Sequence, residues 1–171
     1  MFETVTFVIA LFILSFGFVV FFGAPYVPTM KKQVVQIMKI RPLKKGDVFV
    51  DIGSGDGIVL RSAAKTGARA IGYELSPYLW LVSKFACKGQ KNIDIRFGNF
   101  WPVDLPADTT VVYTFLSSRH MPKLQQKLQN HVDKNGKSIS FISYGFQIKG
   151  RKSQKKLGPI YLYSIEPQLQ T

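Results

Sequence analysis

An apolar run that breaks into alternating glycines is the strongest constraint on the fold of this chain. Residues 48–52 are typical of a buried strand, and Gly53, Gly55 and Gly57 follow on every second position. Glycine adopts backbone conformations that other residues disfavour and lets a ligand approach the main chain closely. The pattern therefore predicts a strand, a ligand-binding loop and then a helix.

The spacing of the glycines separates two classes of ligand. Loops that bind a dinucleotide usually read Gly-x-Gly-x-x-Gly, with the pyrophosphate over the helix N-terminus. Here Gly57 comes one residue early, and Asp51 stands two residues before the first glycine. The carboxylates of Asp51 and Asp56 would repel a pyrophosphate but can orient an ammonium group. The loop resembles the D/E-x-G-x-G-x-G signature of class I S-adenosylmethionine-dependent methyltransferases, and a nicotinamide oxidoreductase is the alternative.

A second acidic residue lies where this type of fold binds a ribose. The short apolar run at 70–73 ends in Glu74, 23 residues after Asp51, and a carboxylate there accepts hydrogen bonds from ribose hydroxyls. Glu74 alone would fit a solvated charge at a strand end equally well. Combined with the glycine loop, it predicts a ligand that contains ribose.

Predicted strands and helices alternate along the rest of the chain. Strands are predicted at 69–74, 93–97, 110–116, 138–146 and 159–165, and helices at 30–40, 57–65, 77–88 and 120–131. This order is typical of an α/β fold with a mostly parallel sheet, helices on both faces and ligands at the carboxyl ends of the strands. Together with this order, the resemblance of the loop implies the Rossmann-like class I methyltransferase fold. The polar stretch 147–158 is short for a last crossover helix, so we expect a trimmed C-terminal end.

Residues 5–22 predict a transmembrane helix. The run is apolar except for one threonine, one serine and one glycine, and no charge occurs between Glu3 and Lys31. As a helix it would be roughly 27 Å long, close to the hydrocarbon thickness of a bilayer. A cleaved signal peptide would begin with basic residues and end in a small-x-small site, and a buried core helix is the other alternative. We therefore expect an anchor and linker at 1–27 and a methyltransferase domain at 28–171.

Six basic residues follow the apolar run with no acidic residue among them: Lys31, Lys32, Lys39, Arg41, Lys44 and Lys45. The positive-inside rule then predicts a single-pass protein whose body lies on the cytoplasmic side of the membrane. The same six residues predict contact with anionic lipid headgroups. The net charge of +13 also fits nucleic acid, but no aromatic-basic alternation marks a nucleic-acid platform, so no nucleic-acid partner is expected.

Cysteine and histidine are too scarce for a metal centre. Cys87 is the single cysteine, which excludes an internal disulfide and a zinc site built on several cysteines. His120 and His131 could supply at most half of a usual metal shell. No metal is expected.

A closer resemblance rests on residues 45–57 and on Gly-Tyr-Glu-Leu-Ser-Pro at 72–77. With the apolar anchor and its proline-containing linker, these stretches are similar to membrane-anchored protein-lysine methyltransferases that modify the c-subunit of ATP synthase or the adenine nucleotide translocase. That family has short prokaryotic relatives. The resemblance implies S-adenosylmethionine as the cosubstrate and a lysine of a membrane protein as the acceptor. It also implies the mitochondrial inner membrane as the location if the chain is eukaryotic.

The resemblance also implies which residues bind the donor. Asp51, Gly53 and Gly55 would contact its methionine part and Glu74 its ribose. Asn99 stands where related enzymes usually have an aspartate that receives the adenine amino group, so an amide oxygen would take this role. The full donor site predicted is Asp51, Gly53, Ser54, Gly55, Asp56, Gly57, Glu74, Asn99 and Phe100.

The acceptor pocket is less well defined by the sequence. Methyl transfer from a sulfonium depends mainly on positioning, and an aromatic rim eases deprotonation of the acceptor ammonium by desolvating it. Candidates for this pocket are Tyr78, Trp80, Phe100, Trp101, Ser117 and Tyr144, and no general base is assigned. A methyltransferase of a lipid or small hydrophobic molecule, and a non-catalytic membrane adaptor, are the alternative functions.

Overall fold

Residues 31–165 build one seven-stranded sheet with helices on both faces. The computed structural model describes residues 2–7, 9–10, 13 and 29–168. In chain order the elements are α1 (Lys31–Ile40), β1 (Val48–Ile52), α2 (Ile58–Ala64), β2 (Arg69–Glu74), α3 (Pro77–Ala86), β3 (Ile93–Phe97), β4 (Val111–Thr114), a 3-10 turn (Ser118–His120), α4 (Met121–Asn135), β5 (Ile139–Tyr144), β6 (Lys155–Leu157) and β7 (Ile160–Ile165).

The strands lie in the order β3-β2-β1-β4-β5-β7-β6. Strands β3, β2, β1, β4 and β5 pair in parallel. Strand β7 runs antiparallel between β5 and β6. This arrangement confirms the predicted α/β class with a mostly parallel sheet. The strand order reverses between β1 and β4, so the carboxyl ends of these two strands flank the crevice where such sheets bind ligands.

Burial on both faces explains why the central strands read as unbroken apolar runs. Every residue of β1 is buried, as expected for a parallel strand covered on both sides. One face packs against α1 and α2. The opposite face packs against α4, which buries Leu124, Leu128 and Val132 along one helical stripe.

The structure differs from the predicted elements mainly after β4. Helix α4 extends to Asn135 because Gly136 adopts a left-handed conformation there, and its N–H closes the last turn on the Val132 carbonyl. Residues 145–154 connect β5 to β6 without a helix. Strand β6 was not predicted, because its three residues are all exposed and carry no apolar alternation.

The predicted transmembrane helix and the boundary at residue 27 lie largely outside the described residues. Those of its residues that are described, at 5–7, 9–10 and 13, are helical and exposed. Within the described part of the chain, no helix is long and apolar enough to cross a bilayer.

Gly72 in β2 lets the glycine loop and α2 approach the sheet. A Cβ at this position would lie 2.5 Å from Leu60 Cδ1 and 2.7 Å from Ser54 Oγ. We expect Gly72→Ala to destabilise the fold by about 1–3 kcal/mol through overpacking, measured by thermal unfolding. Gly89→Ala is the control, because its added Cβ meets nothing within 4 Å and reports only the strain of a positive φ. Equal melting temperatures for the two variants would contradict the prediction.

Candidate active site

The loop between β1 and α2 depends on glycines with left-handed backbone conformations. Gly53, Gly55 and Gly57 have φ angles of +81°, +56° and +75°, where a side chain would be strained. The N–H groups of Gly53 and Ser54 donate to the Tyr73 carbonyl at 2.9 and 3.1 Å. These bonds tie the loop to the end of β2, at the carboxyl edge of the sheet.

The Glu74 carboxylate fixes the glycine loop from the neighbouring strand. Its Oε2 accepts a hydrogen bond from Gly55 N–H and its Oε1 one from Ser76 N–H, both at 2.8 Å. Burial raises the pKa of Glu74, and the backbone hydrogen bonds oppose this rise. A carboxylate has about four lone-pair sites, and the Gly55, Ser76 and Leu75 N–H groups do not use all of them. Glu74 can therefore still accept a hydrogen bond from the ribose while it holds the loop, and its role in holding the loop was not apparent from the sequence.

Asp51 is a buried carboxylate with an unused hydrogen-bonding atom. The residue is 2% exposed, and its Oδ1 forms no hydrogen bond with any described residue. Burial raises the pKa of Asp51 well above its ordinary value, and the Glu74 and Asp56 carboxylates raise it further. A buried charge without a partner costs folding free energy. An ammonium group bound at the loop would provide the missing partner.

Ser54 also has a buried side-chain oxygen without a partner. Its Oγ forms no hydrogen bond with a described residue. Asp51 and Ser54 therefore present two unsatisfied polar atoms at one loop. Buried polar groups in folded proteins are nearly always hydrogen-bonded, so this pair fits the polar end of a ligand better than it fits an unliganded core.

Asn99 and Phe100 come two and three residues after the end of β3, at the same edge of the sheet. Asn99 is exposed, and its Oδ1 accepts a hydrogen bond from Trp101 N–H at 3.0 Å. The oxygen predicted to receive an adenine amino group therefore has one lone pair left. Phe100 is 6% exposed and packs edge-on against Tyr73, with ring centroids 5.3 Å apart.

The predicted acceptor-pocket residues lie in separate places. Tyr144 lies at the end of β5, where its ring contacts Phe115 edge-on with centroids 4.5 Å apart. Trp101 packs against His120, and the Lys123 ammonium lies 4.6 Å from the indole centroid. Ser117 Oγ is hydrogen-bonded to His120 Nδ1 at 3.1 Å. These residues therefore form two groups, one around Tyr144 and one around His120.

The remaining two candidates lie on α3. Tyr78 is in the first turn of this helix and is 57% exposed. Trp80 donates its indole N–H to the Ile95 carbonyl at 3.3 Å and packs against Phe97. Trp80 therefore packs α3 onto β3, two strands away from β1.

Sequence reasoning missed Tyr113 and Gln33. Tyr113 pairs in register with Asp51, so the two side chains share one face of the sheet. Burial and the nearby Asp51 carboxylate raise the pKa of Tyr113, while Thr29 lowers it. Gln33 in α1 donates a hydrogen bond to the Tyr144 hydroxyl. Only strand register and helix placement reveal these residues, because neither belongs to a motif.

Within residues 2–7, 9–10, 13 and 29–168, no three histidine, cysteine, aspartate or glutamate side chains cluster as metal ligands would. Burial lowers the pKa of His120 and of His131. Cys87 is a buried free thiol. The polar side chains at the glycine loop are instead the carboxylates of Asp51 and Glu74 and the hydroxyl of Ser54.

The chain is similar in sequence to lysine methyltransferases. It is 37% identical over 119 residues to the lysine N-methyltransferase of the ATP synthase c-subunit from Xenopus laevis, covering 68% of this chain and 52% of that protein. It is 32% identical over 133 residues to the protein-lysine N-methyltransferase of Saccharolobus islandicus, covering 74% of this chain and 79% of that protein. The chain thus spans about half the length of the first relative and most of the second.

The fold is similar to the crystal structure of an RNA methyltransferase from Salinibacter ruber in complex with S-adenosyl-L-homocysteine. The TM-score is 0.70 at 26% sequence identity, covering 84% of this chain and 96% of that one. This likeness confirms the predicted Rossmann-like class I methyltransferase fold. Residues 51–155, from the acidic residue of the glycine loop to the start of β6, match the ANTKMT methyltransferase domain. The chain belongs to this family of methyltransferase domains.

Proposed function

We propose that this chain is an S-adenosylmethionine-dependent methyltransferase that transfers methyl groups to lysine side chains of a protein. The observation that carries the proposal is the buried Asp51 carboxylate, whose Oδ1 has no hydrogen-bond partner among the described residues, beside the loop that Glu74 holds. The names of the two lysine methyltransferases support a lysine acceptor. The S-adenosyl-L-homocysteine bound in the Salinibacter ruber structure, which is the donor without its transferable methyl group, supports the choice of donor.

Each polar group of the loop has a counterpart on such a donor. Asp51 would accept a hydrogen bond from the ammonium group of the donor. Glu74 would accept hydrogen bonds from the ribose through the lone pairs that its backbone hydrogen bonds leave free. Asn99 and Phe100 follow the adjacent strand, where the adenine would lie. The donor supplies an electrophilic methyl group on its sulfonium.

The protein's contribution to the reaction is mainly geometric. The acceptor amine must lose its proton and lie in line with the carbon–sulfur bond, so positioning and exclusion of water supply most of the acceleration. Phe115 and Tyr144 form an aromatic pair at the ends of β4 and β5. Such a surface desolvates an ammonium group and thereby lowers its pKa.

We also propose that residues 1–27 form the membrane anchor and linker and residues 28–171 the methyltransferase domain. The described apolar residues before the domain support this proposal, because their helical side chains are at least half exposed: Phe2, Val5, Phe7, Ile9 and Ile13. The domain would lie on the cytoplasmic side, or at the mitochondrial inner membrane in a eukaryote. A membrane protein is then the natural acceptor.

Five of the six predicted lipid-facing residues are exposed, and they would contact anionic headgroups: Lys31, Lys32, Lys39, Lys44 and Lys45. Arg41 differs, because its guanidinium forms two hydrogen bonds, of 2.6 and 3.1 Å, with the buried Asp47 carboxylate. This contact holds the pKa of Asp47 below its ordinary value against the effect of burial. We therefore assign Arg41 to the fold and the five lysines to the lipid surface.

The proposed activity is tested by incubating the purified chain with methyl-labelled S-adenosylmethionine and membranes from its own source. We expect label in the protein fraction, recovered as methyl-lysine after hydrolysis. Asp51→Ala should abolish the label, and Asp108→Ala, which removes an exposed carboxylate, should retain it. Label that partitions into lipid or RNA instead would overturn the lysine acceptor, and an absence of both transfer and donor binding would overturn the enzyme.

A further inference from the structure

Gln33, in the first turn of α1, connects the start of this helix to the carboxyl end of β5. Its Nε2 donates a hydrogen bond to the Tyr144 hydroxyl, and its Oε1 accepts one from Met30 N–H at 2.8 Å. Both ends of the amide are therefore engaged. This fixes the orientation of the Gln33 side chain and, through it, the position of the Tyr144 hydroxyl.

Tyr144 lies on the same face of the sheet as Asp51. Asp51 pairs in register with Tyr113, and Tyr113 pairs with Ile142 on β5. Tyr144 comes two residues after Ile142, and side chains two residues apart in a strand point to the same face. This is the face that α1 covers, and the Tyr144 ring packs against its core. The residues thus form one row from the glycine loop to α1.

Three segments meet around the Tyr144 ring. Phe115, just after β4, contacts the ring edge-on. Gly145 follows with a φ of +84°, and a Cβ there would lie 3.2 Å from Phe115 Cε2. The third segment is the start of α1, through Gln33. The half-buried aromatic pair therefore lies at the ends of two strands and beside the segment that enters the domain.

Among the described residues, Gln33 is the one hydrogen-bond partner of the Tyr144 hydroxyl. A tyrosine hydroxyl has one proton and two acceptor lone pairs, and Gln33 occupies one lone pair. Ligands of parallel α/β sheets bind just beyond the carboxyl ends of the strands, which is where this hydroxyl lies. A free lone pair there can accept an N–H group of an amine.

We infer that Gln33 is a positioning residue for methyl transfer: it orients the Tyr144 hydroxyl to accept a hydrogen bond from the acceptor amine, and the start of α1 forms one wall of the acceptor pocket. This inference rests on the proposed lysine methyltransferase activity. It goes beyond that activity because it makes the segment joining the anchor to the domain part of the pocket.

The variants Gln33→Met, Tyr144→Phe and their double variant test this inference in the full chain. Gln36→Met is the matched control, since it makes the same chemical change one turn further along α1. The readouts are the initial rate of methyl-lysine formation in membranes at saturating donor, the donor Kd by calorimetry, and the melting temperature. Misplacement of a reacting group by about 1 Å can cost roughly 100-fold in rate.

We expect Gln33→Met and Tyr144→Phe each to lower the rate about 10-fold to 100-fold, with the donor Kd and the melting temperature close to wild type. The double variant should be no slower than Tyr144→Phe alone, because both changes remove one unit. A wild-type rate in Gln33→Met, fully additive effects, or a parallel loss of donor binding would overturn the inference. A wild-type chain that methylates no lysine would instead overturn the proposed function.

Discussion

Replacing Asp51 by asparagine is expected to raise the melting temperature of the donor-free protein while it weakens donor binding about 10-fold to 100-fold. The pKa of Asp51 is raised by burial and by neighbouring carboxylates, so the folded chain binds its proton more tightly than the unfolded chain does. The contribution of Asp51 to stability is then largest at pH values below its ordinary pKa of 3.8, and it declines as the pH rises toward the pKa in the folded chain. At neutral pH the raised pKa lowers stability, either through a buried charge or through the proton that the folded chain must bind, and asparagine removes this cost at nearly the same shape.

Thermal unfolding between pH 5 and 8, with and without S-adenosylmethionine, measures both effects. Removing the unpaired buried group should stabilise the fold by about 1–3 kcal/mol. In a chain of this size, each kcal/mol corresponds to a rise of about 2–4 °C in the melting temperature. The stabilisation by donor should shrink in parallel. Asp108→Asn is the control, because its side chain is 60% exposed and should leave both quantities unchanged. A less stable Asp51→Asn protein with wild-type donor affinity would show that Asp51 has a partner in the fold and none in the ligand.

Replacing Glu74 by alanine is expected to lower both stability and donor affinity. The substitution leaves the Gly55 and Ser76 N–H groups without their acceptor, at a cost of about 1–3 kcal/mol for each unsatisfied group. It also removes the carboxylate proposed to hold the ribose, so donor affinity should fall by about 100-fold or more. Glu74→Gln, which retains one acceptor oxygen, should lie between wild type and Glu74→Ala.

Calorimetric titration with S-adenosylmethionine and thermal unfolding of the donor-free protein test this prediction. Asp94→Ala serves as the control, because it removes an exposed carboxylate paired with Arg96 on β3. Donor affinity that survives in Glu74→Ala would mean that the carboxylate serves only the loop. Unchanged stability would mean that Gly55 and Ser76 find other acceptors.

The parts of the fold that the sequence predicted are those with local signals. Strand β1 is buried on both faces and reads as an apolar run, and the glycines after it occupy left-handed conformations that few other residues tolerate. Asp51 and Glu74 were identified because their distance from the loop along the chain is fixed by the strand–helix–strand unit.

The parts that the sequence did not predict depend on contacts between distant segments. In the sequence, Tyr113 is indistinguishable from the other apolar residues of its strand. The strand register shows that it lies beside Asp51. Gln33 and Tyr144 meet only because α1 covers the end of β5. In the sequence, Arg41 is one of six similar basic residues. Its ion pair with Asp47 separates it from the five exposed lysines.

For the proposed methyl transfer, the acidic lining of the glycine loop has a consequence for product release. Asp51, Asp56 and Glu74 lie close enough together for their charges to raise the pKa of Asp51. When the sulfonium gives up its methyl group it becomes a neutral thioether, so the spent nucleoside carries one positive charge fewer than the fresh one. The same carboxylates then attract it less. The same carboxylates that lower the stability of the donor-free fold would therefore favour release of the neutral thioether product and its replacement by a new sulfonium donor.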